Sequence, residues 1–320
     1  MESFASKKIR KNIKLACYTT YKIGGTARCF FPAKNEEHIA EAVLWARQRG
    51  MPYFILGGGS NILVSDEGFN GLVIRMLNTK CEIRDTHIEV EAGVDLPKLV
   101  QTTVDNGLKG LEWASGVPGT FGGAVRGNAG AFGGEIKDLV TSVRFLDEKG
   151  NIRTVSNGEC NFVYRGSIFK ENSEFIILSA VLSLERGDRD ALQKFSKEKI
   201  AYRAARHPLE YGSCGSVFKA IDVNDIPPGI FDSYPRFRES IKRDPFPVVP
   251  TACFIDEAGL KRYRIGGAMV SDKHPNFFVN FERATAEDVK RLIDHVKHSL
   301  RERFGVKAEE EVQFVGWEKI

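Results

Sequence analysis

The chain has 320 residues, 42% hydrophobic and 28% charged, with a formal net charge of +4. That balance is ordinary for a globular protein and excludes a disordered, fibrous or coiled-coil chain. So small a positive surplus is also too thin for a nucleic-acid footprint, which needs clustered cations.

Met1–Leu15 reads as a polar, basic lead-in without the apolar run of a signal peptide. Ala27–Phe31 suits a strand. A helix follows, capped by Asn35, with Ile39, Ala42, Val43 and Ala46 at helical spacing and Gly50 to end it. Tyr53–Leu56, Ile62–Val64 and Leu72–Arg75 read as strands, the first broken by Gly57-Gly58-Gly59-Ser60-Asn61. Ile88–Ala92 alternates like a strand. Asp95 caps a helix carrying Leu96, Leu99, Val100 and Val104, which Asn106-Gly107 stops. Beyond the glycine-dense Gly116–Gly134, strands are expected at Leu139–Leu146, Ile152–Val155 and Phe175–Leu184, then a polar helix from Asp190 to Arg206. The prolines 227, 228, 245, 247 and 250 argue against regular structure around them. Ala252–Ala258 reads as a short helix and Asn276–Phe281 as a strand. Thr285 and Asp288 form a capping-box variant opening a helix with Val289, Leu292, Ile293, Val296 and Leu300 on its buried face, and Glu311–Val315 is a terminal strand.

The six cysteines stand far apart and include no C-x-x-C pair, which suits reduced thiols in the cytoplasm. The histidines form no metal-binding spacing, so no metal is expected. No apolar stretch approaches the ~20 residues of a membrane span. A cytoplasmic protein without membrane or nucleic-acid partners is expected, and a monomer.

The glycines carry the chemistry. Gly57, Gly58 and Gly59 remove every Cβ from a loop that also offers Ser60 and Asn61, and a phosphate cradle is favoured over a bare tight turn. In Gly116–Gly134, eight of nineteen residues are glycine, so backbone can approach a large flat or anionic ligand. Neither segment is a Walker loop or a G-x-G-x-x-G that opens a helix. Two nucleotide-like loops without either common motif point to a dinucleotide held by both.

In order along the chain come Thr20-Tyr21-Lys22-Ile23-Gly24-Gly25, Leu56–Leu63, Gly116–Gly134, Tyr164-Arg165-Gly166-Ser167 and Gly215-Ser216-Val217-Phe218-Lys219. Glu257–Lys261, Ile265–Ala268, Val270–His274, Asn276-Phe277 and Glu309–Val312 follow. This ordered set, spanning about Thr19 to Gly316, resembles the UDP-N-acetylenolpyruvoylglucosamine reductase (MurB) family. The resemblance implies an α+β fold: a two-lobed FAD-binding domain of the vanillyl-alcohol-oxidase (PCMH) type, then a C-terminal α+β substrate-binding domain. The expected divisions are 16–78, 79–208 and 209–320. It implies FAD as cofactor, NADPH as hydride donor and a UDP-sugar nucleotide as substrate in peptidoglycan precursor synthesis. With neither His nor Cys in Gly116–Gly134, the flavin is expected to be non-covalent.

By the same resemblance Arg165 holds the substrate carboxylate, Ser216 donates a proton and Glu311 assists, with Glu310 the alternative register. The expected cofactor contacts are Gly57, Gly58, Gly59, Ser60, Asn61, Ser115, Gly116, Gly119, Thr120, Gly122, Gly123, Asn128 and Gly130. Tyr164, Arg203, Arg206 and Lys219 are expected at the substrate. The helix Lys194–Arg206 is otherwise a solvated basic face, and Lys273-His274 a structural loop. The chain departs from the family pattern at Ala220, where Asn is usual, at Ala308, where Leu is usual, and in about two dozen extra residues, Asp222–Pro247.

Overall fold

The structure, a computed structural model, describes residues 8–243 and 246–317. Most of the expected lead-in, residues 1–7, and Pro245 lie outside the described residues. The chain packs as two compact units. Among the described residues the first comprises 8–13, 27–58 and 70–203, and the second 14–26, 59–69, 204–243 and 246–317. Residues 16–26 and 59–69, both inside the first expected lobe, thus pack with the C-terminal part.

Two larger sheets build the first unit. One is ordered Arg10–Lys14, Thr26–Ala33, Phe69–Met76, Tyr53–Leu56, the last two parallel with Tyr53 opposite Leu72 and Leu56 opposite Arg75. The other is antiparallel throughout: Ile152–Ser156, Val140–Leu146, Ile176–Ser183, His87–Glu91, Cys81–Arg84. The helix Glu36–Arg47 starts where Asn35 accepts from the His38 amide at 2.9 Å, and it buries Ile39, Ala42, Val43 and Ala46. Leu96–Asp105 is capped likewise by Asp95. One core joins Phe31, Leu72, Ile88, Val90, Phe121, Val143 and Phe145.

The second unit is built round the helix Ala286–Phe304, whose capping box of Thr285 and Asp288 is complete. Asp66 caps it further, accepting from the Ala286 and Glu287 amides at 2.9 and 3.0 Å. Against it lie the antiparallel strands Arg264–Ile265, Ala268–Val270 and Phe278–Asn280. Ile62–Val64 runs parallel to Gln313–Val315, a terminal strand shorter than Glu311–Val315.

The described residues of the extra segment, 222–243 and 246–247, contain regular structure around Pro227 and Pro228, contrary to the expectation drawn from the prolines. Helices Pro228–Ser233 and Pro235–Glu239 each begin on a proline. Proline is compatible there because the first helical amide has no intrahelical acceptor to lose. Ile221–Asp222 pairs with Val248–Val249. Phe237 is 0% exposed, with its ring 4.2 Å from that of Phe254 and 5.5 Å from that of Phe304. The segment therefore builds part of the core. We predict that Phe237→Ala destabilises the full chain by about 3–5 kcal/mol, measured by denaturant unfolding. A change within ~0.5 kcal/mol, as at an ordinary surface site, would mark the segment as decoration.

Candidate functional site

In the first unit the two glycine segments meet. A Cβ on Gly57 would lie 2.4 Å from Thr120 Oγ1, and one on Gly58 2.7 Å from Gly119 Cα. The absence of side chains lets one backbone lie on the other. The second segment is pinned in turn. Leu96 donates to the Gly119 carbonyl, Phe121 to Val94 and Gly122 to Ala92, at 3.0, 2.8 and 2.9 Å. A Cβ on Gly122 would meet Ala92 Cβ at 2.6 Å, so that glycine serves packing. Thr120 caps a helix, Phe121–Arg126, that the glycine content had concealed. Gly123 is exposed, with nothing nearer to an added Cβ than Thr120 Oγ1 at 3.5 Å.

Asn128 and Ser115 stand apart from the other expected cofactor contacts. Asn128 is 0% exposed at φ 42°, its amide donating to Glu135 and to the Val163 carbonyl and accepting from the Lys137 amide. Ser115 is 1% exposed and bonds the Glu112 carbonyl and Ser196. Both side chains brace the protein. Gly130 abuts Glu135, and Gly116 abuts Arg203.

The same braces hold Tyr164 and Arg165. Val163 and Gly166 exchange both backbone hydrogen bonds at 3.1 Å, so Tyr164-Arg165 forms the tip of a tight hairpin. Asn128 holds this hairpin through the Val163 carbonyl. Ser167, just beyond it, donates to the Arg126 carbonyl at 2.7 Å, and Lys170 to the Arg165 carbonyl at 2.7 Å. Arg165 sits at φ 56°, a left-handed conformation costly for a residue with a Cβ. Its guanidinium lies 5.2 Å from the Tyr164 ring centre.

Arg203 donates from Nε to the Ser115 carbonyl at 2.9 Å and stands 5.1 Å from the Phe132 ring centre. Its Nη2 is buried with no hydrogen-bond acceptor among the described residues, and burial lowers its pKa. A buried guanidinium N–H without an acceptor is costly, and a phosphate oxygen would satisfy it. Burial lowers the Arg126 pKa as well. The paired glycine backbones fit the close approach of an anionic dinucleotide.

In the second unit Ser216 lies opposite Phe277 in an isolated bridge. Its segment is held on both sides. Val217 donates to the Asn276 carbonyl at 2.8 Å, and the Asn276 side chain bonds both the amide and the carbonyl of Phe218. On the other side Glu311 donates to the Val217 carbonyl at 2.7 Å, and Lys219 to the Glu309 carbonyl at 2.9 Å. Ser216 and Glu311 are thus on adjacent paired segments. The three glutamates have different neighbours. Glu309 is paired with Lys219 at 3.2 Å and Glu310 with Lys297 at 2.6 Å, while Glu311 acts on the buried Cys214 thiol. Lys219, expected at the substrate, spends its ammonium on Glu309, and its carbonyl accepts from Thr251. Asn61 donates to the Glu311 carbonyl at 3.1 Å and accepts from the Gln313 amide at 3.0 Å, while Gly59 packs on the Tyr18 carbonyl. Ser60 is half-buried and Arg206 exposed.

His274 is a residue the sequence reading had put in a structural loop. Its ring lies 4.7 Å from that of Phe277, opposite Ser216, and 5.5 Å from that of His207. Burial, then the His207 and Lys242 charges, pull its pKa to about 4 against a small contrary effect of its own backbone, so the imidazole is neutral near pH 7. A lone imidazole before a strand gave no signal of this placement.

Residues 27–156 match the family described as "FAD binding domain", and residues 207–315 match "UDP-N-acetylenolpyruvoylglucosamine reductase, C-terminal domain". The UDP-N-acetylenolpyruvoylglucosamine reductase of Caldanaerobacter subterraneus subsp. tengcongensis is 38% identical over 310 residues, covering 97% of this chain and 94% of that protein. That of Listeria innocua is 38% identical over 312 residues, covering 97% and 96%. The crystal structure of the Thermus caldophilus enzyme superposes with a TM-score of 0.76 at 30% identity, covering 96% of this chain and 99% of that one. The chain belongs to the UDP-N-acetylenolpyruvoylglucosamine reductase family. The fold expected from the sequence, a PCMH-type FAD-binding domain followed by this C-terminal domain, is the fold observed. FAD is the cofactor.

An added methyl at Gly58 meets backbone, which cannot swing aside as a side chain can. We predict that Gly58→Ala costs about 1–3 kcal/mol, read as roughly a tenfold or greater rise in the Kd for FAD in titrations of the flavin-stripped protein. Gly158→Ala, where nothing lies within 4 Å of the added Cβ, keeps the wild-type Kd. Equal affinity in the two variants would contradict the packing account.

Proposed function

We propose that the chain reduces the enolpyruvyl ether of UDP-N-acetylglucosamine to the lactyl ether, UDP-N-acetylmuramate, with NADPH, in the cytoplasm, as a step of peptidoglycan precursor synthesis. The observation that carries this reading is the pairing of the Ser216 segment with the Glu311 segment in a chain of this family. On this reading residues 16–78 and 79–208 hold the cofactor and residues 209–320 the substrate. Gly57, Gly58, Gly119, Thr120 and Gly123 would contact FAD. When bound there, FAD would supply the hydride relay between NADPH and the substrate.

The protein's own groups meet the charge and the proton. Hydride addition at the terminal alkene carbon places negative charge on the adjacent carbon, delocalised into the substrate carboxylate. The Arg165 guanidinium, set by its hairpin, holds that carboxylate as its charge grows. The Ser216 hydroxyl gives its proton to the carbon bearing the ether oxygen. Glu311 assists, its two acidic neighbours being occupied by lysines. The unsatisfied Nη2 of Arg203 supports a phosphate contact, and Tyr164, Arg206 and Lys219 complete the substrate-binding set, Lys219 by leaving Glu309.

Stopped-flow absorbance separates the two half-reactions. In Ser216→Ala, NADPH is predicted to bleach the flavin at the wild-type rate, while reoxidation by the enolpyruvyl sugar nucleotide slows by about 10²–10⁴-fold, the usual worth of a positioned acid. Reoxidation of Ser216→Ala at the wild-type rate would remove Ser216 from the mechanism.

A further inference from the structure

Asn61 closes the glycine loop Gly57-Gly58-Gly59-Ser60-Asn61, yet its bonds lead to the far end of the chain. Its side-chain amide donates to the Glu311 carbonyl at 3.1 Å, and its backbone carbonyl accepts from the Gln313 amide at 3.0 Å. The second bond extends the parallel pairing of Ile62–Val64 with Gln313–Val315. One further ladder step toward the loop would give the Glu311 carbonyl to a backbone amide. The loop leaves the ladder instead. Gly59 turns at φ 63°, where a Cβ would lie 2.1 Å from the Tyr18 carbonyl oxygen. Its own carbonyl accepts from the Thr20 amide at 3.1 Å and from the Thr20 hydroxyl at 3.3 Å. The Asn61 side chain takes the place of the ladder bond at Glu311.

The Glu311 peptide is thereby held at both of its polar groups. Its carbonyl is on Asn61, and its amide is on the Val217 carbonyl at 2.7 Å. Val312 shares that acceptor at 3.4 Å, and Glu310 lies opposite Phe218 in an isolated bridge. Val217 follows Ser216 directly and is 0% exposed. Asn61, Glu311 and Val217 thus stand in one hydrogen-bonded row, all of it inside the second unit. Gly57 and Gly58, which lie against Thr120 and Gly119, belong to the first. The loop therefore divides its work: its first glycines pack on the other glycine segment, and its last residue holds Glu311.

We infer that Asn61 is a positioning residue for the proton-delivering step, fixing the Glu311 peptide against the segment that carries Ser216. The inference rests on the roles proposed for Ser216 and Glu311 above. A side-chain amide suits the task because it donates a hydrogen bond without adding a charge beside the glutamates. Asn61 acts through the Glu311 backbone. A group that delivers or assists a proton transfer works only from a closely held position, and small displacements are costly.

The test compares Asn61→Ala, Asn61→Gln and Thr20→Val in the full chain saturated with FAD, by stopped flow and by hydrogen–deuterium exchange. In Asn61→Ala the limiting rate of flavin reoxidation by the enolpyruvyl sugar nucleotide should fall about 10- to 100-fold relative to the rate of reduction by NADPH. The half-saturating concentration of the sugar nucleotide should not change. Asn61→Gln keeps an amide donor and should recover most of the rate. Thr20→Val removes a hydroxyl from the same loop without touching Glu311, and should keep the wild-type ratio of the two rates. Exchange of the Glu311 and Gln313 amides should quicken in Asn61→Ala and not in Thr20→Val. A wild-type ratio in Asn61→Ala would overturn the inference. So would an equal fall of both half-reactions that Asn61→Gln fails to repair, or the same fall in Thr20→Val, since either marks a general loosening of the loop. A wild-type protein that reduces its flavin but passes nothing to the sugar nucleotide would instead overturn the functional reading, and this inference with it.

Discussion

A backbone contact that admits no side chain organises the cofactor-binding unit. Gly57 and Gly58 lie against Gly119 and Thr120 at distances no Cβ tolerates. From that contact the order spreads. Thr120 caps the helix Phe121–Arg126, the helix ends at the braced Asn128, and Asn128 with Ser167 holds the Tyr164-Arg165 hairpin. The strained φ of Arg165 persists because three hydrogen bonds around the hairpin over-determine it. A cofactor contact and a candidate carboxylate holder thus depend on the same few glycines.

The second unit applies the same economy to proton chemistry. Ser216 sits on a segment held on one side by Asn276 and on the other by the segment carrying Glu311. Lys219 and Lys297 pair with Glu309 and Glu310, while the amide of Glu311 bonds the Val217 carbonyl next to Ser216. The acidic run, which alone would pass for a solvated patch, is divided by its neighbours into two ion pairs and one backbone anchor.

Much of the scaffold was legible because local signals agreed with tertiary demand. Asn35, Asp95 and Thr285 cap the helices they were expected to cap, and the apolar periodicity after each is buried as written. The helix Phe121–Arg126 was not legible. Its glycines disfavour a helix locally, and it forms because Thr120 caps it and Gly122 lies on Ala92. The helices in segment 222–247 were hidden for the opposite reason: proline reads as a breaker but serves at a first position. In the site, residue type could not separate a group that meets ligand from one that holds the loop. Asn128 and Ser115, expected at the cofactor, make hydrogen bonds within the protein that their residue types alone did not announce. The placement of the His274 ring against His207 gave no signal, since it depends on a contact with a residue distant in the chain.

The central claim, that the joined glycine backbones form the flavin seat, is tested most directly by hydrogen–deuterium exchange of the flavin-stripped and FAD-loaded protein. The account predicts that the amides of residues 57–58 and 116–128 gain the most protection on loading. Protection concentrated elsewhere, with these two segments exchanging equally in both states, would contradict it.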